Sequence, residues 1–164
     1  KSRSRGLGDV YKRQIKRLIK SGKIKSFGVS NFTANQMDMF KGKVEVLYNQ
    51  INLSLTHLDH MFDGTLEYMQ ANDILPMAYS PLGSYFKEDD GKIKDLVDKL
   101  KNKYGCTDYQ LLISWLLKHP SKVYPVIGTT KSDRIKSTLE SLKIEIDLID
   151  WFELLEASVG KRVP

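Results

Sequence analysis

Ile24-Lys25-Ser26-Phe27-Gly28-Val29-Ser30-Asn31-Phe32-Thr33-Ala34-Asn35-Gln36 decides the fold, because it holds a strand, a polar turn and a helix start in succession. Ile24–Val29 reads as a strand that ends in Ser30-Asn31. Thr33, with Gln36 three residues on, forms a capping box that opens a short helix. Upstream, Ile15, Leu18 and Ile19 share one face of an amphipathic stretch that stops at Ser21-Gly22, where glycine ends the helix. Downstream the alternation recurs. Val44–Ile51 is a second strand, rich in β-branched and apolar residues. Leu66–Ala71 is a helix with Asp63 or Thr65 as its cap, and Ile74–Tyr79 is a third strand stopped by Ser80-Pro81. A long helix sets Ile93, Leu96, Val97, Leu100 and Tyr104 on one face, with Gly105 as its stop. Thr107 and Gln110 box the next helix, which passes Trp115 and ends at His119-Pro120. Val123–Ile127 is a fourth strand, followed by helices over about 133–142 and 148–159.

Apolar strands separated by amphipathic helices predict right-handed βαβ units, a parallel sheet and an α/β fold. The 164 residues suffice for one domain with a substantial core but fall short of the roughly 250 of a complete (β/α)8 barrel. No linker divides the chain; Phe86–Lys92 is a charged loop. Residues 1–13 show neither strand nor helix period, so residues 1–14 are expected to be an unpatterned basic segment, foreign to the domain at 15–164.

Charge and composition remove several function classes. Residues 1–25 hold ten of the 26 basic residues and one acid, Asp9, a net of +9; the other 139 hold 16 basic and 19 acidic residues, a net of −3. The basicity sits at one end of a mildly acidic domain, with only Tyr11 among the charges as a stacking surface, so no nucleic-acid partner is expected. No apolar run approaches the roughly 18 residues of a membrane span, and none follows the basic start as in a signal peptide, so no membrane partner is expected either. A single cysteine, Cys106, excludes an internal disulfide and fits a reducing, cytoplasmic compartment. With no second thiol near it, no metal is expected.

In parallel α/β folds ligands bind at the C-terminal ends of the strands. The first strand ends in Ser30-Asn31, the second carries Asn49-Gln50, the third ends Tyr79-Ser80-Pro81-Leu82-Gly83-Ser84, and the fourth ends Gly128-Thr129-Thr130-Lys131-Ser132-Asp133-Arg134. Ser, Asn and Gln can donate and accept neutral hydrogen bonds, as a carboxamide requires. Tyr79 offers a flat face to a heteroaromatic ring, and backbone amides over 80–84 could cradle a pyrophosphate. Lys131 and Arg134 beside a helix start suit a phosphomonoester. Each group alone is an ordinary cap, strand-end polar residue or solvated charge. The succession over four strands is what points to a ligand.

That succession resembles the aldo-keto reductase family over about residues 15–164. The resemblance rests on Ser-Gly-Lys-Ile-Lys-Ser-Phe-Gly-Val-Ser-Asn-Phe at 21–32, Asn-Gln-Ile at 49–51, Ala-Tyr-Ser-Pro-Leu-Gly at 78–83 and Pro-Val-Ile-Gly-Thr-Thr-Lys at 125–131 with Arg134. Trp151-Phe152 and the ending Gly160-Lys161-Arg162-Val163-Pro164 are similar to the short-tailed bacterial members. The resemblance implies a partial TIM (β/α)8 barrel, about its last four β/α units plus C-terminal helices. It implies NADP(H), with Ser30, Asn31 and Gln50 on the nicotinamide carboxamide and Tyr79 stacked on the ring. Ser80, Pro81, Leu82, Gly83 and Ser84 would lie along the pyrophosphate and ribose. Gly128, Thr129, Thr130, Lys131 and Arg134 would hold the 2′-phosphate, with Ser137 near the adenine.

The family reduces small-molecule aldehydes and ketones through a tyrosine acid assisted by lysine, aspartate and histidine on its first four strands. The resemblance puts those strands before Ile15, so no catalytic residue is assigned and the chain alone is expected to be inactive. Tyr11 and Lys12 match no catalytic motif, and His57, His60 and His119 read as surface or capping residues. The alternative reading is a non-enzymatic half-barrel that self-associates through its open sheet edges. A dinucleotide-binding Rossmann fold is disfavoured, because no strand is followed by G-x-G-x-x-G.

Overall fold

The computed structural model describes residues 7–88 and 91–163. Among them the elements run α1 (Leu7–Lys20), β1 (Gly28–Ser30), α2 (Ala34–Asp38), β2 (Tyr48–Asn52), α3 (Asp59–Phe62), α4 (Thr65–Ala71) and β3 (Leu75–Tyr79). Next come α5 (Gly91–Tyr104), α6 (Asp108–Leu117), β4 (Tyr124–Pro125), α7 (Ser132–Glu140), a 3-10 turn at Ser141–Lys143 and α8 (Leu148–Val159). The strands form one parallel sheet in the order β1-β2-β3-β4, with Ser30 level with Gln50 and Gln50 level with Met77. Sequential parallel strands joined through helices make this the expected α/β sheet, about half of a (β/α)8 barrel. No helix among the described residues is long and apolar enough to cross a membrane.

Alternation along the strands separates two faces. In β2 and β3 the residues Asn49, Ile51, Pro76 and Ala78 are buried, while Tyr48, Gln50, Met77 and Tyr79 are only half-buried. The buried face packs under α5, α6 and α8, where Leu100, Leu111, Trp115 and Leu154 are almost wholly enclosed. The indoles of Trp115 and Trp151 stack with centroids 5.2 Å apart and planes 10° apart. Each donates its ring N–H to the other's main-chain carbonyl, at 3.1 and 2.9 Å, so α6 and α8 are tied at one point. Lys103 Nζ, 2.8 Å from Asp147 Oδ2 and 2.7 Å from Asp150 Oδ2, ties α5 to the start of α8.

Both capping boxes form as expected, at Thr33/Gln36 and Thr107/Gln110. Other expectations shift. Helix α1 begins at Leu7, so the boundary expected at residue 15 falls inside a helix. Tyr11, Ile15 and Leu18 continue one stripe, and Lys12 is buried with its ammonium 5.2 Å from the Phe40 ring. Residues 1–6 of the expected basic segment lie outside the described residues, as do Asp89 and Asp90 of the charged loop and Pro164 of the closing motif. The first strand is Gly28–Ser30 rather than Ile24–Val29, and the second begins at Tyr48 rather than Val44. The fourth strand shrinks to Tyr124–Pro125, with one further bond to β3 just beyond it, from the Val126 amide to the Ala78 carbonyl at 2.8 Å. The helix expected at Leu66–Ala71 with Asp63 or Thr65 as its cap runs Thr65–Ala71 with Gly64 at the N-cap position, while the Asp63 side chain accepts from the Thr65 amide at 2.8 Å.

Candidate functional site

At the end of β1, Ser30 and Gln50 stand side by side on the half-open face. The Gln50 carbonyl accepts from the Ser30 hydroxyl at 3.1 Å and from the Asn31 amide at 2.8 Å. The Ser30 proton is thereby used, leaving the hydroxyl oxygen as an acceptor and the Gln50 side-chain amide as both donor and acceptor. Asn31 has φ +53°, in the left-handed region that asparagine enters more readily than other residues with a side chain. Ser80, at φ +49°, repeats this just beyond β3.

Behind the turn lies a residue whose role the sequence reading did not assign. Asn49 is completely buried; its Nδ2 donates to the Phe32 carbonyl at 2.8 Å and its Oδ1 accepts from the Phe32 amide at 3.3 Å. A side chain here takes over the pairing that a strand would give residue 32, and losing it would strand two main-chain groups at about 1–3 kcal/mol. The sequence signal was available: an amide on the apolar face of a strand demands a specific partner.

At the end of β3 the side chain of Tyr79 is half-buried on the open face, level with Asn52. The turn at 80–84 then folds tightly onto the loop after β2. Gly83 has φ +53°, and a Cβ there would lie 2.0 Å from Thr56 Oγ1 and 2.3 Å from Ser54 Oγ, so glycine is required on two counts. The Gly83 amide donates to the Ser80 carbonyl at 2.8 Å and the Ser84 amide to Thr56 Oγ1 at 2.9 Å. Pro81 has no amide proton at all. The expected row of pyrophosphate-binding amides over 80–84 is therefore narrower, because turn closure uses two of them. The Ser84 hydroxyl is also engaged, donating to Glu88 Oε2 at 2.8 Å. What the turn exposes is Ser80, while Leu82 is partly buried against the core.

Leu82 reaches a cleft of about 460 Å³ that it shares with Phe86, Asp108, Tyr109, Arg134 and Ser137. Residues read separately from the third and fourth strand ends thus meet across one opening. Gln110 fixes its floor: Nε2 donates to the Ser137 carbonyl at 3.0 Å, and Oε1 accepts from the Thr107 amide at 3.0 Å. Lys131 occupies the N-cap position of α7 without a side-chain cap, and its amide donates to Thr129 Oγ1 at 3.2 Å. Gly128, Thr130, Lys131 and Arg134 are exposed around this helix start, where the dipole and two cations favour an anion. Asp108 adds a carboxylate on the cleft side, away from the expected phosphate list.

Among the described residues no group of three or more His, Cys, Asp or Glu side chains could hold a metal ion. His60 pairs with Asp63 at 2.9 Å, and His57 lies 3.7 Å from Asp59. His119, expected as a surface or capping residue, is half-buried and caps the turn after α6. Its ring packs at 6.0 Å from Trp151 and its Nδ1 accepts from the Ser121 amide at 3.2 Å. Burial pushes its pKa below the ordinary histidine value, with Glu67 partly opposing.

Residues 11–157 match the Aldo/keto reductase family. The chain belongs to that family. It is 35% identical over 150 residues to a 6-dehydroglucose reductase of Agrobacterium fabrum, covering 89% of this chain and 50% of the relative. Against the uncharacterized oxidoreductase YcsN of Bacillus subtilis it is 34% identical over 152 residues, covering 88% and 51%. Among solved structures, an aldo/keto reductase from Klebsiella pneumoniae in complex with NADP and acetate superposes with a TM-score of 0.74 at 25% identity, over 85% of this chain and 50% of that one. The aldose reductase of Giardia lamblia gives 0.77 at 22% identity, over 97% and 52%. The chain spans about half the length of the curated relatives it matches. The family match takes in all four strand ends described above, from Ser30 to Ser137.

Proposed function

We propose that this chain forms the NADP(H)-binding wall of an aldo-keto reductase that reduces aldehydes and ketones. When bound, the dinucleotide supplies the hydride. The chain's own residues bind and orient it. Ser30, Asn31 and Gln50 hold the carboxamide, which fixes the ring face presented, and Tyr79 covers the other face. Ser80 and Leu82 follow the phosphates and ribose, with Pro81, Gly83 and Ser84 shaping the turn. Gly128, Thr129 and Thr130 bring Lys131 and Arg134 to the 2′-phosphate. The cleft beside Ser137 accepts the adenine, with Asp108 as an acceptor for its exocyclic amine.

The single observation that carries this reading is the cleft shared by Leu82, Arg134 and Ser137, which joins the β3 turn to the start of α7. The donor set fits: neutral amides and a hydroxyl at one end, two cations at a helix start at the other. Two cations would lack partners on a bare ribose hydroxyl, so NADP(H) is favoured over NAD(H). Calorimetric titration of the 164-residue chain is expected to show NADP+ bound at least tenfold more tightly than NAD+; equal affinities would remove the proposal. Carbonyl reduction belongs to a protein of the relatives' full length, and the 164-residue chain is expected not to oxidise NADPH with any aldehyde. Measurable turnover would refute that part.

Self-association is a second reading, favoured by the exposure of Leu142, Leu148 and Ile149 at 65%, 61% and 74% on the α7–α8 side. Sedimentation velocity across a concentration series tests it. A sharp monomer throughout would end it.

A further inference from the structure

We infer that Asn49 is a positioning residue for the carboxamide end of the site: its buried amide holds the Ser30-Asn31 turn in the one conformation that presents both side chains to a ligand. The inference rests on the cofactor reading above and adds to it a residue that itself touches no ligand.

The argument starts from where the ladder stops. Strand β1 ends at Ser30, and the Asn31 amide makes one more bond, to the Gln50 carbonyl at 2.8 Å. Asn31 then turns into the left-handed region at φ +53°. Asparagine tolerates that region better than most residues, but its place in the turn is fixed only where the chain is held on both sides of it. Gln50 is the hold on the near side. On the far side, the Asn49 side chain grips residue 32 by both main-chain groups, at 2.8 and 3.3 Å. The turn residue is thus clamped between two consecutive residues of β2, one using its backbone and one its side chain.

The surroundings of Asn49 show why packing alone does not explain it. Its Nδ2 lies 3.8 Å from the sulfur of Met69, which packs with Met37 and Ile74, flanked by Val29 and Phe32. Leucine has the same branched heavy-atom skeleton as asparagine and would suit the polarity of that apolar cluster, but it could not address a main-chain N–H and C=O together. Among the described residues, four non-glycine residues have positive φ: Asn31, Ser80, Asp73 and Lys122. Asn31 and Ser80 each directly follow a strand at the ligand-facing rim, and of these Asn31 has the buried side-chain clamp beside it.

The test separates positioning from folding by using two ligands. NADP+ spans the whole site, whereas adenosine 2′,5′-bisphosphate reaches only the adenine and 2′-phosphate end. Both are titrated calorimetrically into the 164-residue chain and into Asn49→Leu and Asn49→Asp, the latter keeping an acceptor for the Phe32 amide. Asn49→Leu is expected to weaken NADP+ about tenfold while adenosine 2′,5′-bisphosphate stays within twofold, and Asn49→Asp to fall between. Amide exchange at Phe32 should accelerate in Asn49→Leu, a readout that needs no ligand and keeps the inference open to refutation whatever the affinities. Equal losses for both ligands would make Asn49 a fold residue only and overturn the inference. So would unchanged NADP+ affinity, or unchanged exchange at Phe32. A parent chain that binds neither ligand removes the cofactor reading itself, and with it the inference; that outcome is distinct because it appears before any substitution.

Discussion

At the β1–β2 rim the ligand-facing groups are fixed by the fold, whereas at the start of α7 they ride on exposed side chains. Ser30 and Asn31 hang from Gln50 and, through Phe32, from a completely buried Asn49. Lys131 and Arg134 are exposed, on a helix start with no side-chain cap. Neutral hydrogen bonds are short-ranged and angular, so they need a frame built in advance. Charges act over a longer reach and tolerate loose placement, at the cost of screening by salt. The two ends therefore divide the work into orientation and capture.

The sharpest way to break that division is to remove the capture end. Lys131→Ala with Arg134→Ala is expected to weaken NADP+ by about a hundredfold or more, at roughly 1.5 kcal/mol or above per charge-assisted contact. NAD+ should be affected much less, and a comparable loss for NAD+ would show that the cations are not reading the 2′-phosphate. Next in size is Gly83→Ala, between the ends, where a Cβ would meet Thr56 and Ser54 at positive φ. It should destabilise folding by about 2 kcal/mol in urea melts, and an unchanged midpoint would mean that the turn is not prebuilt. Raising salt from about 0.02 to 0.5 M should cost the parent chain roughly tenfold in NADP+ affinity and the double variant little, since screening acts on the exposed charges alone. Ser30→Ala sharpens the other side: about threefold weaker NADP+ with an unchanged Tm, because Ser30 is exposed.

The smallest effect sets the conditions for the rest. His119 has its pKa lowered by burial, so the unfolded chain binds a proton more readily than the folded one. Its contribution to stability is complete above the unfolded value of about 6.5 and is lost as pH falls below it. Tm should drop modestly between about pH 7 and pH 5, and His119→Gln should flatten that slope. A slope unaltered by the substitution would assign it to other groups.

How much of this was legible depended on the range of each interaction. The capping boxes Thr33/Gln36 and Thr107/Gln110 are local, and α8 was readable at both ends from its apolar period and Gly160. Strand ends were not, since ladders depend on neighbours: β4 is two residues long and β1 three. The single-turn α3 carries too little pattern to be seen. The rim residues were legible as types in order. Their support was not, because Asn49 meets Phe32 seventeen residues away and Gln110 meets Ser137 twenty-seven residues away. The amides of Gly83 and Ser84 looked available only because their acceptors, Ser80 and Thr56, are chosen by the folded turn.

The paired indoles have a consequence for how this chain can be watched. Its only two tryptophans, Trp115 and Trp151, lie face to face between α6 and α8. Tryptophan emission from the chain therefore comes from one place in the fold rather than from scattered reporters. When α8 lifts away, the indoles separate and enter water together, so a colour shift marks the seating of the last helix. Light passed from that pair to a reduced nicotinamide ring would sense ligand at the rim without any label.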